Sequence, residues 1–406
     1  MRLITLNTLS SPSSASPPYS THLLPMIRIL NPGLELLFDH NYHWDESSWA
    51  ERGNFFRVFF PFHFSFWYLF PHFPFPISSY HEPRSLKHTY LRTSYQDKTI
   101  QMSTTVPDSP EFGTSQAVAL LIAYTLIYVI PLYFSAATRP SPTRSRDAPE
   151  AIRARILVVS LSTAVCSLVT LALLSSRLSS QKQPLHLMGY WPPGLVDSAR
   201  ALWLTALLFA GPLYESLVID GAARGWLTLK PLKELWVDWP TWRNMVAGPV
   251  TEECLFRSAA VPLLLRAGAS LTSTIFLSPL VFGLAHLHHF YEFRITHPQT
   301  PLPVAIARSV LQLSYTSLFG AYATFLFMRT GSLLAVILVH AFCNCMGLPR
   351  LWGSLDPYWL SDRDPAAVLP RKIWTAVYYI LLVGGLVAWW RSLYSLTETP
   401  MALAEF

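Results

Sequence analysis

The chain has 406 residues, of which 51% are hydrophobic and only 13% charged, against about 25% charged in an ordinary soluble domain. That deficit, with repeated apolar runs near 20 residues, excludes an ordinary soluble domain and indicates a polytopic helical membrane protein. The formal charge of +6 comes from basic residues dispersed between those runs, so juxtamembrane topology accounts for it and nucleic acid is not an expected partner.

Residues 1–110 differ from the rest, being rich in Pro, Ser, His and Phe with poor helical periodicity. The apolar stretch from Phe55 to Phe70 contains Arg57, Pro61 and His63, and Pro71, Pro74 and Pro76 follow at once. Prolines at that density oppose a stable helix. The extreme N-terminus lacks the basic-then-apolar pattern and cleavage site of a signal peptide. This region is expected to be a disordered N-terminal extension, with Met102 a candidate start. Residues 111–395 are expected to form the transmembrane domain and 396–406 a short tail.

Eight apolar segments follow, at about 115–136, 155–176, 198–219, 243–265, 270–287, 306–328, 331–347 and 373–392. The predicted fold class is therefore all-α, with about eight transmembrane helices enclosing an intramembrane cavity. No internal repeat is evident, which disfavours a transporter. Fourteen Lys and Arg residues, among them Arg139, Arg146, Arg155, Arg243 and Arg350, fall in loops after the odd-numbered segments. Five fall on the other side, so the first group is placed in the cytosol. Cys166, Cys254, Cys343 and Cys345 all lie in predicted spans and read as small apolar residues rather than a disulfide framework.

Two adjacent carboxylates, Glu252 and Glu253, sit inside the fourth segment. A charge at mid-bilayer costs about 2.5–3.5 kcal/mol on insertion scales, so a pair of them calls for compensation or a use. Consecutive helical residues point about 100° apart, so the two cannot face one pocket equally. Glu253 and Arg257 are spaced i,i+4, on one face and in the favourable order for an ion pair. That division makes Glu253 the paired carboxylate and Glu252 the chemical one. Gly248-Pro249 just upstream is expected to kink or break the helix. The fifth segment ends at Phe282-x-x-x-His286, followed by His288 and His289, which read as interfacial. The seventh carries His340 and Asn344, an i,i+4 pair on one face, where an imidazole and an amide can donate to a developing oxyanion. Entering from the cytosolic side, Glu252 lies roughly 14 Å deep at helical rise, and all three motifs fall in the cytosolic half of the membrane.

Glu-Glu-x-x-x-Arg, Phe-x-x-x-His and His-x-x-x-Asn, in this order on an eight-span core, resemble the type II CAAX prenyl endopeptidases, the Ras-converting enzyme family. The flanks Arg243-Asn-Met-Val-Ala-Gly-Pro249 and His340-Ala-Phe-Cys-Asn-Cys-Met-Gly-Leu-Pro349 look like its eukaryotic branch. The resemblance covers about 115–395 and makes that region a protease domain of the endoplasmic reticulum membrane, with its active site open to the cytosol. It implies removal of the C-terminal tripeptide from farnesylated or geranylgeranylated CAAX proteins, such as Ras- and Rho-type small GTPases. It also implies that Glu252, helped by His286, activates water, that His340 and Asn344 hold the oxyanion, and that Glu253 and Arg257 support the site. No cofactor and no metal are implied.

Two rivals remain at this point. A zinc protease would need ligands such as Glu252, His286 and His340, but the chain has no His-Glu-x-x-His. A non-catalytic scaffold would use the same polar groups only to knit helices together. A serine or cysteine nucleophile is disfavoured because no Gly-x-Ser-x-Gly occurs and the thiols lie in apolar surroundings.

Overall fold

The structure, a computed structural model, describes residues 113–176, 182–360 and 368–406. The expected N-terminal extension and its Met102 start lie outside the described residues. Every regular element among the described residues is helical.

The first two apolar segments form α1 (Thr114–Val129), prolonged by a 3-10 turn to Tyr133, and α2 (Pro149–Ser175). A short helix, α3 (Lys182–Leu187), precedes the third segment. That segment is broken into α4 (Leu195–Leu208) and α5 (Ala210–Tyr214), the latter running into a π-helical turn at Glu215–Ile219. The two halves are bent by 83°. Three short helices follow, α6 (Ala222–Leu227), α7 (Lys230–Val237) and α8 (Trp239–Trp242). The fourth segment alternates between π-helical Arg243–Ala247, α9 (Gly248–Glu253), π-helical Cys254–Ala259 and α10 (Val261–Arg266). The remainder comprises α11 (Leu271–Ala285), α12 (Leu287–Thr296), α13 (Leu302–Thr330), α14 (Leu333–Met346) and α15 (Val368–Ser392).

Five of these helices are long and apolar enough to cross a membrane, and the bent α4–α5 pair makes a sixth if it counts as one span. The count of eight is thus not reached by length and composition, for two physical reasons. Helix α14 has 14 residues, about 21 Å at helical rise, short of the roughly 30 Å hydrocarbon core. The fourth segment is long enough but interrupted. The fifth is longer than its apolar run, because the helix resumes after His286 and reaches Thr296.

The interrupted fourth segment is the axis of the protein. Every residue from Leu255 to Leu264 is buried, as expected of a helix that is apolar all round. Leu255, Phe256, Ala259 and Leu263 pack with residues of α1, α2 and α11. Val261 joins a second cluster built from α4, α13 and α14. The outer helices turn apolar side chains the other way, for example Leu157, Leu161, Val165 and Leu168 along α2, at the spacing of a single helical face.

A π-helical turn leaves backbone carbonyls out of register, and in hydrocarbon each needs a partner. Neighbouring hydroxyls supply them. Thr163 Oγ1 donates to Thr251 O (3.3 Å), Ser278 Oγ to Phe256 O (3.3 Å) and Thr170 Oγ1 to Ala259 O (3.0 Å). Tyr124 in turn donates to Thr170 at 2.9 Å. The C-terminal tail closes one end of α13, with Leu403 N donating to Met328 O at 2.8 Å and the Phe406 ring 5.3 Å from Phe325.

Close helix approach also matters behind the site. A Cβ at Gly320 on α13 would lie 2.8 Å from Pro279 Cβ on α11 and 3.3 Å from Arg257 Nη2. Gly320→Val is therefore expected to force α11 and α13 apart and destabilise the protein by about 1–3 kcal/mol. Gly384→Ala, where nothing lies within 4 Å of the new Cβ, is expected to be neutral. Thermal unfolding of both variants in detergent checks this.

Candidate active site

Glu252 and Glu253 end α9, where the helix passes into its second π-helical stretch, and they diverge as consecutive helical residues must. Glu253 has no solvent exposure, whereas the Glu252 side chain keeps 24%. Glu253 Oε1 accepts from Arg257 Nη1 at 3.0 Å and from His340 Nδ1 at 2.6 Å. Arg257 is itself buried. Its Nη2 donates to Gly320 O at 3.4 Å, and its guanidinium lies 5.2 Å from the Phe282 ring and 5.6 Å from that of Phe319. Aromatic faces and one carboxylate thus hold a cation that hydrocarbon alone would not.

His340 turns its other nitrogen towards Glu252, with Nε2 3.9 Å from Oε2. With Nδ1 directed at Glu253, Nε2 is the nitrogen left to face Glu252, and it donates when it carries a proton.

His286 caps the break between α11 and α12. Its Nδ1 faces Phe282 O at 3.1 Å. A carbonyl only accepts, so Nδ1 carries the proton and Nε2 of the neutral ring is an acceptor. The Phe282 ring stands edge-on to His286, with centroids 4.5 Å apart, and beneath the Arg257 guanidinium. Phe282 therefore links the two motifs. Asn344 Nδ2 donates to Asn244 O, in the first π-helical stretch, at 2.9 Å, and the amide keeps a second N–H. Arg243 Nε in turn donates to Asn244 Oδ1 at 2.9 Å.

Of the six residues singled out from the sequence, Glu252, Glu253, Arg257 and His340 form one contiguous group. His286 joins it through Phe282, and Asn344 packs on the segment that carries the glutamates. Among the described residues no hydrogen bond or ion pair joins Glu252 directly to His286 or Asn344.

The structure adds a network the sequence reading missed. Glu292 on α12 is buried and accepts from Arg155 Nη2 at 2.7 Å, with Arg146 Nη1 at 3.8 Å and His289 Nδ1 at 3.5 Å. The His289 ring lies 5.5 Å from that of His286. The i,i+3 spacing of His289 and Glu292 was the available signal, obscured by ending the helix at His286. His288, His289 and Glu292 are the one group of three whose ligand atoms all lie within 4.8 Å among the described residues. Two arginines already face its carboxylate. The trio Glu252, His286 and His340 is not drawn together in this way.

Residues 234–346, which carry all of these motifs, match the family described as Type II CAAX prenyl endopeptidase Rce1-like. The chain is 37% identical over 264 residues to the probable CAAX prenyl protease 2 of Schizosaccharomyces pombe, covering 65% of this chain and 88% of the relative. It is 35% identical over 266 residues to CAAX prenyl protease 2 of Arabidopsis thaliana, covering 61% and 84%. The corresponding figures for the Homo sapiens protein are 35% over 227 residues, covering 52% and 66%. The chain belongs to the type II CAAX prenyl endopeptidase family. No solved structure matches it. Within this family member, the region matched by the family model begins in α7 and ends at the last residue of α14, so it contains the whole buried carboxylate group.

The two glutamates are expected to differ in what their loss does. Glu253→Ala strands Arg257 and His340 in a buried site and is expected to destabilise by about 3–5 kcal/mol. Glu252→Gln, which keeps shape and leaves Glu253 bound to Arg257 and His340, is expected to stay within about 1 kcal/mol of wild type. Unfolding of both variants in the same detergent measures the difference, and equal losses would contradict this division.

Proposed function

We propose that this membrane enzyme hydrolyses the peptide bond after the prenylated cysteine of CAAX proteins, releasing the C-terminal tripeptide with a water activated by Glu252. Peptidase activity on prenylated CAAX proteins follows from family membership. The assignment of residues rests on one observation above all. Glu252 is the more open of two adjacent carboxylates, set 3.9 Å from His340 Nε2 while one oxygen of its neighbour accepts from both Arg257 and His340.

In this mechanism Glu252 takes a proton from water, and the Nε2 lone pair of His286 helps to orient that water. The hydroxide attacks the scissile carbonyl carbon. The developing oxyanion is met by His340 Nε2–H and the free N–H of Asn344, donors set in place before the reaction. The proton held by Glu252 then passes to the departing amine as the C–N bond breaks. The tripeptide leaves with a new amino terminus, and the prenyl-cysteine keeps a new carboxylate. Glu253 and Arg257 position His340 and do not touch the reacting atoms.

The same reading places the site in the cytosolic half of the endoplasmic reticulum membrane, consistent with the excess of basic residues in the loops after the odd-numbered segments. A prenyl chain favours hydrocarbon while its peptide arrives from water, so a site at this depth serves both. Ras- and Rho-type small GTPases are the substrates we propose.

Tripeptide release from a farnesylated Cys-a-a-X peptide, by membranes containing the full chain, tests the proposal. Glu252→Ala is expected to lose about 10²–10⁴-fold at equal protein level, and His286→Ala to fall with it. His340→Ala and Asn344→Ala are expected to lose about 10²–10³-fold. Release that persists in a zinc chelator fits the glutamate mechanism. Release abolished by the chelator would move the case to a zinc enzyme, and none at all would favour a scaffold.

A further inference from the structure

We propose that the cleft between the α1–α2 loop and α12 binds the phosphate of an anionic phospholipid headgroup. The cleft is open at its mouth and is lined by Arg139, Arg144, Arg146, Arg155 and Glu292, with serine and threonine hydroxyls beside them. Four guanidinium groups against one carboxylate leave a local charge of +3. Arginine presents paired N–H donors that match a phosphate oxygen pair, and basic pockets between membrane helices suit anionic headgroups.

The lining arginines are unequally engaged. Arg155 is held by Thr138 O at 2.8 Å through Nε and by Glu292 at 2.7 Å through Nη2. Arg144 donates to the backbone carbonyls of Ala136 and Arg139, which aims it into the loop. Arg146 has one long contact, 3.8 Å to Glu292, with 40% of its side chain exposed. Desolvation lowers its pKa from the ordinary guanidinium value while Glu292 opposes the shift, so a second anion beside it would be favourable.

Depth decides the kind of anion. The cleft lies where three spans end or begin, after Tyr133, before Pro149 and one turn short of Thr296. The Tyr133 and Tyr291 rings meet there at 5.9 Å, as aromatic residues do at a membrane interface. Phosphates of the bilayer occupy this level whichever way the protein is inserted.

Two chains of contacts lead from the surroundings of the cleft to the candidate active site. Glu292 reaches His286 through His289. Asp147, from the same loop, accepts from Arg243 Nη1 at 2.7 Å, next to the Asn244 that holds Asn344.

The test uses the full chain in nanodiscs of phosphatidylcholine, with and without a minority of phosphatidic acid, and reads retained lipid by native mass spectrometry. Wild type is expected to retain phosphatidic acid about tenfold better than the double variant Arg139→Gln/Arg146→Gln. Matching melting curves in phosphatidylcholine alone show that the variant folds. Ser141→Glu, which adds a carboxylate at the cleft, serves as a second variant and is expected to lose retention equally. Equal retention by wild type and both variants overturns the proposal. Displacement of the lipid by inorganic phosphate at comparable concentration would identify a free-phosphate site and overturn the lipid assignment. Retention is read without peptide substrate, so the outcome is independent of the proposed protease mechanism.

Discussion

The carboxylate of Glu253 is the interaction on which the rest of the site depends. It has no access to water, yet one of its oxygens accepts from both Arg257 and His340. Burying such a group is unfavourable unless its partners are fixed, and removing a partner leaves an uncompensated charge. The surroundings therefore do more than fill space. Phe282 and Phe319 offer ring faces to Arg257, and Phe319 also packs on His340 at 4.6 Å. With His340 fixed from one nitrogen, the other can point only where Glu252 lies.

The backbone carries a matching constraint. A continuous α-helix through residues 243–266 would satisfy its own carbonyls, whereas this one has a π-helical stretch on each side of the short helix that carries the glutamates. Threonine and serine hydroxyls from α2 and α11 donate to carbonyls of the irregular segment. Irregular backbone at membrane depth is tolerated only where protein surrounds it, which explains why the least regular segment is the most enclosed. The irregularity re-aims side chains at the site, and the shell of helices makes it affordable.

The lipid-facing helices and the buried carboxylate group follow different logic. Long apolar helices such as α2 present unbroken stripes outward, where only hydrocarbon compatibility matters. The inner elements are short, bent or interrupted, and the longer helices turn polar side chains towards them, as Thr163 and Thr170 do from α2. Networks through Glu292 and through Asp147–Arg243 connect the inner elements to the α1–α2 loop, so the membrane-surface end of the protein is physically joined to the group around Glu252.

By itself the sequence determined that the chain is helical and membrane-embedded, because low charge and long apolar runs allow no other class. It also determined the Glu253–Arg257 pair, since i,i+4 spacing on a helix brings those side chains together, and the separation of Glu252 from Glu253, since consecutive residues diverge. The family was legible from three short motifs in order. Only the tertiary structure decided that Glu253 serves His340 as well as Arg257, because that contact joins residues 87 apart. It likewise decided that Asn344 anchors on Asn244, and that the helix resumes after His286 as α12 to bring Glu292 beneath two arginines. How many of the about eight apolar segments run unbroken was not legible for the same reason. Hydropathy records which residues avoid water, but not whether lipid or the rest of the protein provides the shelter.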